Sequence, residues 1–431
     1  MLLIQTTHTR WKRTKWYLKK ISKKTIGILY YIVDEICRKD TVSKMTLRNQ
    51  VPRILAILIL PLVVGESARS QQFTFQGQLS GWTLFSGGSS APWKTYVGLR
   101  YLPEFSLKTP ITKKIALDFD ASFNLYGSAR LYSLTGAEAS AKGRPYRLWA
   151  RLSSDQFELR LGLQKINFGS ASLLRPLMWF DRIDPRDPLQ ITDGVYGLLF
   201  RYYFLKNTNV WLWALAGNTE TRGWEAFPTA KNNTEFGGRI QVPVPRGEIG
   251  FTYHHRRMDL TRGAAAMVLS AGGLVPEDRF GLDGKWDIGI GLWFEGTLIH
   301  QKSEFLPFSY QRALNVGLDY TFGLGNGLHV MGEHFLLDST RRILGAGQGL
   351  KFTAVSLNYP IGLLDNLSAI FYYDWKNDQF YRFINWQRKY DRWTFYLIGF
   401  WNPATFRIYQ SRDRENFFAG KGIQFMVVFN H

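Results

Sequence analysis

One cysteine, Cys37, occurs in the 431 residues. That scarcity excludes a disulfide framework, a Cys-based zinc site and, downstream of the leader described below, any thiol nucleophile. Long apolar runs are also missing: beyond residue 70 nothing reaches the roughly 18 consecutive apolar residues of a membrane helix. Proline is held to 16 residues. No Gly-x-Ser-x-Gly elbow is present, and no helix-turn-helix, zinc pattern or basic-aromatic motif speaks for nucleic acid. What is abundant is glycine, at 40 residues, and aromatic side chains, at 16%. That mix suits many strands joined by tight turns and ringed by aromatics at a lipid–water boundary.

The net charge of +20 is unevenly spread. Residues 1–70 hold 14 Lys/Arg against 4 Asp/Glu, and the remainder holds 40 against 30, so each part supplies +10. The excess over residues 71–431 is what a moderately cationic lumen or set of loops requires, without nucleic acid as a partner.

Residues 45–70 read as a secretory signal peptide. Met45 to Arg53 is a short basic region, Ile54 to Val64 an apolar run too short to span a bilayer, and Ala68-Arg69-Ser70 a small-residue cleavage site. Gln71 is then the mature N-terminus, and the absence of Cys there argues against a lipid anchor. Residues 1–44 carry a basic cluster around Trp11 to Lys24 and an apolar patch, Ile26 to Val33. They are expected to lie outside the mature protein, as the product of a start codon set too early; a basic amphipathic surface helix is the alternative.

From residue 71 to 431 the sequence alternates with period two. Phe157, Leu159, Leu161 and Leu163 interleave with Glu158, Arg160, Gly162 and Gln164; Leu314, Val316 and Leu318 interleave with Asn315, Gly317 and Asp319. Segments of about 9–11 residues recur, as tilted membrane strands need. Strands are expected near 73–85, 95–105, 112–126, 146–153, 157–166, 195–204, 209–217, 236–243, 248–256, 279–286, 290–300, 312–322, 328–338, 350–359, 366–376, 381–389, 393–401 and 421–429. Tight turns alternate with long polar connections at 127–145, 167–194, 218–235, 257–278, 301–311, 339–349 and 402–420. The pattern predicts an all-β, closed antiparallel transmembrane β-barrel of about 18 strands, with 16 as the alternative count. The last strand, Gly422 to Phe429, resembles the closing strand that barrel-assembly machinery reads, although Asn430 and His431 follow the aromatic residue that usually ends it.

On these residues, 71–431 resembles porin-like outer-membrane barrels of Gram-negative bacteria of the Bacteroidota type. The segment Arg160-Leu161-Gly162-Leu163-Gln164-Lys165-Ile166-Asn167-Phe168-Gly169 carries the likeness, and it is distantly similar to alginate-export-type barrels. The resemblance implies outer-membrane lipid as the surroundings and small polar or anionic solutes as the cargo.

If apolar positions face lipid, the opposite parity lines a lumen. Arg147, Arg151, Arg160, Arg201, Arg239 and Arg256 then fall on one run of strands, with Asp118 and Asp120 before them and Glu295, Asp319 and Glu333 after. Either a basic wall looks across at an acidic one and sets up a transverse field, or the charges pair with near neighbours as ladders. The long connection 167–194 is a candidate constriction loop, through Trp179, Asp181, Arg182, Asp184, Arg186 and Asp187. Its three acids could ligate calcium; pairing with Arg182 and Arg186 is the simpler reading, and no metal or other cofactor is expected. Lipid hydrolysis needs a Ser nucleophile with a His base. His254 and His255 have no such partner at a telling spacing, so no enzyme is expected. The two classes left are a porin-like channel and a non-conducting structural, assembly or polysaccharide-export barrel.

Overall fold

A computed structural model describes residues 72–88, 91–131, 137–262, 273–303, 306–403 and 418–431. The expected leader, 1–44, and signal peptide, 45–70, lie outside the described residues. Eighteen strands follow one another. The first six are β1 (Gln72–Gly88), β2 (Ala91–Pro110), β3 (Ala116–Leu131), β4 (Ala137–Ser153), β5 (Phe157–Gln164) and β6 (Val195–Tyr203). Next come β7 (Asn209–Leu215), β8 (Glu235–Val244), β9 (Gly247–Asp259), β10 (Leu274–Asp287), β11 (Gly291–Gln301) and β12 (Tyr310–Phe322). The series ends with β13 (Leu328–Thr340), β14 (Gln348–Pro360), β15 (Asp365–Asp374), β16 (Gln379–Lys389), β17 (Trp393–Trp401) and β18 (Lys421–Asn430).

Each strand pairs antiparallel with its neighbours in sequence, and β1 also pairs with β18, closing the sheet. Closure satisfies every strand edge, the condition for a sheet surrounded by lipid. The two residues beyond Phe429 extend this seam. Gly77 and His431 exchange backbone hydrogen bonds at 3.0 Å each, and the His431 ring stacks beside Tyr101 with Nε2 3.1 Å from its hydroxyl. The departure from an aromatic terminus is thus absorbed by a ring stacked at the same place.

Parity follows the chemistry. On β12 Leu314, Val316 and Leu318 are exposed while Ala313 and Asn315 are buried. On β9 Phe251 faces out and Thr252, His254, Arg256 and Met258 face in. One rim holds only short turns, as expected, while the other holds the long connections together with the short β1–β2 and β15–β16 links, and the boundaries of the first hairpins differ. The connection read at 127–145 is mostly strand: β3 and β4 stay paired from Ala116↔Ser153 to Leu131↔Ala137, with one bulge at Ser122/Phe123. Small residues there, such as Ala129 opposite Ala139, have weak strand propensity. The ladder that starts at Ala116↔Ser153 continues through them all the same.

Candidate functional site: a plugged lumen with one charged wall

The connection between β5 and β6, residues 165–194, turns into the barrel. Its apolar residues explain why: Leu173, Leu174, Leu177, Trp179 and Phe180 are all 6% exposed or less. Each such side chain contributes about 1.5–3 kcal/mol on leaving water. Leu173 and Leu174 pack against Phe335, Phe352, Tyr372, Tyr381 and Phe400 on the β13–β17 side. Leu177, Trp179 and Phe180 pack against Val195, Leu199, Trp213 and Leu215 on the β6–β7 side. The segment therefore bridges opposite walls.

Two carboxylates hold it there. Glu333 accepts from the backbone N–H groups of Ser172, Leu173 and Leu174 at 2.7, 3.1 and 2.7 Å. Glu295 accepts from Ala171 at 2.8 Å and Leu177 at 2.6 Å. Asn315 lies between, donating to the Leu174 carbonyl at 2.7 Å and to Glu333 at 3.0 Å. Successive N–H groups aimed at one carboxylate form an anion nest, here filled by a side chain of the opposite wall. Gly169 makes the approach possible. Its φ is +98°, and a Cβ there would come within 2.5 Å of Glu295.

The expected constriction residues take up structural pairings within this plug. Trp179 lies edge-on to Phe168 and near His254. Asp181 pairs with Arg175 at 3.0 Å, and Arg175 also donates to Asn167 and to the Phe168 carbonyl. Arg182 reaches the Thr221 carbonyl at 3.2 Å. Asp184 and Arg186 pair at 2.6 Å, with Arg186 lying over the Phe383 and Phe418 rings. Asp187 caps the Leu189 N–H at 3.0 Å. The three acids thus point to separate partners, and among the described residues no group of three His, Cys, Asp or Glu converges as metal ligands.

A second connection, 216–234, buttresses the first, and sequence reading missed it. Trp224 donates its indole N–H to the Arg175 carbonyl at 2.8 Å. Beside it Arg222, Glu225, Glu235, Arg256, Glu277 and Arg279 form a buried lattice of three cations and three anions. Burial pushes the Glu225 carboxyl up, but Arg222, Arg256 and Arg279 more than offset this and hold it below the usual carboxylate range. His254 adjoins the lattice with both ring nitrogens engaged: Nδ1 accepts from Trp213 at 3.2 Å and Nε2 meets Glu235 at 3.1 Å. It is left with no free nitrogen to act as a base.

These contacts correct part of the expected lumen. Arg239, Arg256, Glu295 and Glu333 point inward but are at most 4% exposed, so they meet protein and not a water-filled passage. Arg239 grips Asp283 through two bonds of 2.5 and 2.9 Å. It crosses β9 at Gly250, where a Cβ would collide with the guanidinium at 2.1 Å. Arg239 and Arg256 pair with acids, and Glu295 and Glu333 are met by plug N–H groups, because a low-dielectric interior admits an ion only with a partner beside it. Asp319, at the short-turn rim, stands 3.8 Å from His329.

One wall differs. Along β3–β6 the inward residues Asp120, Arg147, Arg151, Arg160 and Arg201 are only half-buried, as is Lys165 at the start of the plug. Arg147 donates to the Thr192 carbonyl of the plug at 3.0 Å. Nearer the short turns, Arg151, Arg160 and Arg201 converge on the single carboxylate of Glu158, at 3.3, 2.9 and 3.7 Å, with Asp118 also taking Arg151 at 2.5 Å. Arg160 lies over Trp149 and Arg201 over Trp211, at 4.6 and 3.9 Å. Asp120 accepts from Ser106 at 3.0 Å. Three arginines thus share Glu158 and Asp118, with Arg147 and Lys165 further along the same wall.

No family model matches the chain, and no curated protein sequence matches it. Among solved structures it is similar to the outer membrane protein opdK from Pseudomonas aeruginosa, at 11% identity over 83% of this chain and 99% of that one, with a TM-score of 0.51. Acinetobacter baumannii OccAB4 aligns at 10% identity over 85% and 100%, TM-score 0.49. Salmonella typhi OmpF, in a complex with daunomycin, aligns at 11% over 83% and 97%, TM-score 0.47. At such identities the likeness concerns architecture only, and it is the first of the three that carries it. The chain has the fold of a porin-like outer-membrane β-barrel, closed and antiparallel, with 18 strands.

Proposed function

We propose that the protein is an outer-membrane channel in which small polar or anionic solutes pass off-centre, along the β3–β6 wall and beside the plug. The observation that carries this reading is the half-buried row from Arg147 to Arg201, in which three arginines share one glutamate, facing a side of the lumen packed with apolar residues and buried ion pairs. A net positive strip raises the local concentration of anions by focusing the field, without excluding cations. The exposed apolar parity of the strands supports insertion in lipid, and the signal-like segment 45–70 supports export to an outer membrane. The closing strand is the segment for barrel-assembly machinery to read.

A non-conducting structural barrel is the second reading, and the apolar plug favours it. Polysaccharide export, the reading that goes with an alginate-export kinship, needs a wide bore, and residues 165–194 occupy the space it would use. A lipid hydrolase is disfavoured by the engaged His254. Planar-bilayer recording separates the two main readings. The channel reading expects small, steady conductance with a reversal potential displaced toward anions in a salt gradient; purified, correctly inserted protein that passes no current would sink it.

A further inference from the structure

On the outer face, near the long-connection rim, one sector brings cations and exposed tryptophans together. Lys351 on β14 lies across from Trp375, whose backbone N–H donates to the Lys351 carbonyl at 3.0 Å and whose ring sits 5.5 Å from the ammonium. Arg382 on β16 is in register with Trp401 on β17, its guanidinium 5.6 Å from that ring, and Trp401 is in register with Lys421 on β18. Lys421 in turn faces Gly87 on β1, over which the exposed Trp93 is folded. From β16 to β1 the pairing thus builds one row of Arg382, Trp401, Lys421 and the folded-over Trp93, while Lys351 and Trp375 lie nearer the rim, since Arg382 is in register with Phe371. All are at outward parity: on β17 and β18 the same face carries Leu397, Ile423 and Phe425.

The row also has a defined height. Trp393 marks the opposite end of the outward face of β17. Its distance from Trp401 is about 26 Å along a strand rising about 3.3 Å per residue. At a tilt near 40° that is about 20 Å along the membrane normal, close to the roughly 25 Å apolar band of such barrels. The row therefore falls where hydrocarbon gives way to head groups.

Some cations elsewhere on the outer face have acids, although among the described residues none pairs with Arg257 of β9. Arg312 pairs with Asp338 at 2.5 Å, Lys302 with Asp278 at 2.8 Å, and Arg388, at the short-turn rim, with Asp365 at 3.7 Å. Among the described residues no carboxylate pairs with Lys351, Arg382 or Lys421. Three uncompensated cations at head-group height, on a platform of tryptophans, are complementary to negative charge held in the plane of the membrane.

We propose that this sector, from β14 round to β1, binds anionic lipid head groups through their phosphates, with Lys351, Arg382 and Lys421 as the phosphate ligands and the tryptophans seating the glycerol or sugar region above the acyl chains. This rests on the membrane reading given above. The test is native mass spectrometry of the full chain, released from nanodiscs of phosphatidylcholine doped with phosphatidic acid of the same acyl chains. Retained phosphatidic acid, displaced as sodium chloride is raised, is expected for the natural protein. The variant K351Q/R382Q/K421Q should lose retention by about a hundredfold, since each Lys or Arg near the surface strengthens anionic-lipid binding several-fold. R388Q, at the other rim, should keep it. Equal retention of the two lipids by an inserted barrel would overturn the inference while leaving the membrane reading intact. So would unchanged retention in the triple variant, or a second copy of the chain held in place of lipid. Should the triple variant fail to insert, salt displacement from the natural protein decides alone. Failure of the natural chain to insert at all would remove both readings, and it is visible before any phosphatidic acid is added.

Discussion

The two halves of the lumen handle charge in opposite ways. On the β8–β13 side the buried inward charges have tight partners: Arg239 with Asp283, Arg256 and Arg279 with Glu225 and Glu277, Glu295 and Glu333 with backbone N–H groups of the plug. On the β3–β6 side three arginines share one glutamate and stay within reach of water. The same residue types serve both. What separates them is whether a connection folds over them: 165–194 and 216–234 cover the first half and leave the second open. Inward parity alone therefore does not make a residue part of a conducting path.

The contrast can be broken most severely on the covered side. Replacing Arg279 with Met leaves Glu225 and Glu277 underpaired in a dry lattice, and we expect a loss of about 3–5 kcal/mol in a urea refolding titration. A loss under 1 kcal/mol would mean that water reaches the lattice. Next in size is Leu161→Arg. This side chain is 57% exposed on the outer face, and a cation near the bilayer midplane should cost about 2–4 kcal/mol. Arg160→Leu, one residue away, should cost less, because Arg151 and Arg201 still hold Glu158. Reversed costs would put the inside–outside assignment one residue out of register.

Glu333→Leu acts on the boundary between the halves. It strips the acceptor from three N–H groups, at about 1–3 kcal/mol for each donor left buried without a partner. We expect the plug to leave the lumen and single-channel conductance to rise. Unaltered conductance with an intact barrel would show that apolar packing alone retains the plug. The smallest effect is expected on the open side. Changing Arg147, Arg160 and Arg201 together to Gln should move the zero-current potential toward cations, and the shift should shrink at 1 M salt, where the Debye length is about 3 Å. A conducting triple variant with the same reversal potential would mean that these arginines only support one another structurally.

Much of the architecture was legible because period-two alternation is a direct record of which face meets lipid. β17 was read at its observed bounds, and Glu158, Arg160 and Arg201 were placed on the inward parity they occupy. The far ends of β3 and β4 were not legible: Ala129, Ala139 and Ala141 carry no alternation, and the register begun at Ala116↔Ser153 carries the ladder through them. The anchoring of the plug was hidden for a different reason. Glu295 and Glu333 bind backbone N–H groups, which every residue but proline has, so no partner residue type betrays them. A signal did exist in the plug itself. Leu173, Leu174, Leu177, Met178, Trp179 and Phe180 are too apolar for a connection left in water. Arg239 and Asp283 were hidden by distance, since the pair spans a whole intervening strand and depends on the missing side chain of Gly250.

The plug also fixes an order of events. Its ligands lie far along the chain, 124 residues from Ala171 to Glu295 and 161 from Ser172 to Glu333. Whichever end of the sheet is laid down first, β5 to β13 must all be in place before both carboxylates and the loop coexist, and contacts of such separation form late. Until then the loop and its two carboxylates lack one another. Docking of residues 165–194 is thus a late step, completed only when the wall opposite is in place.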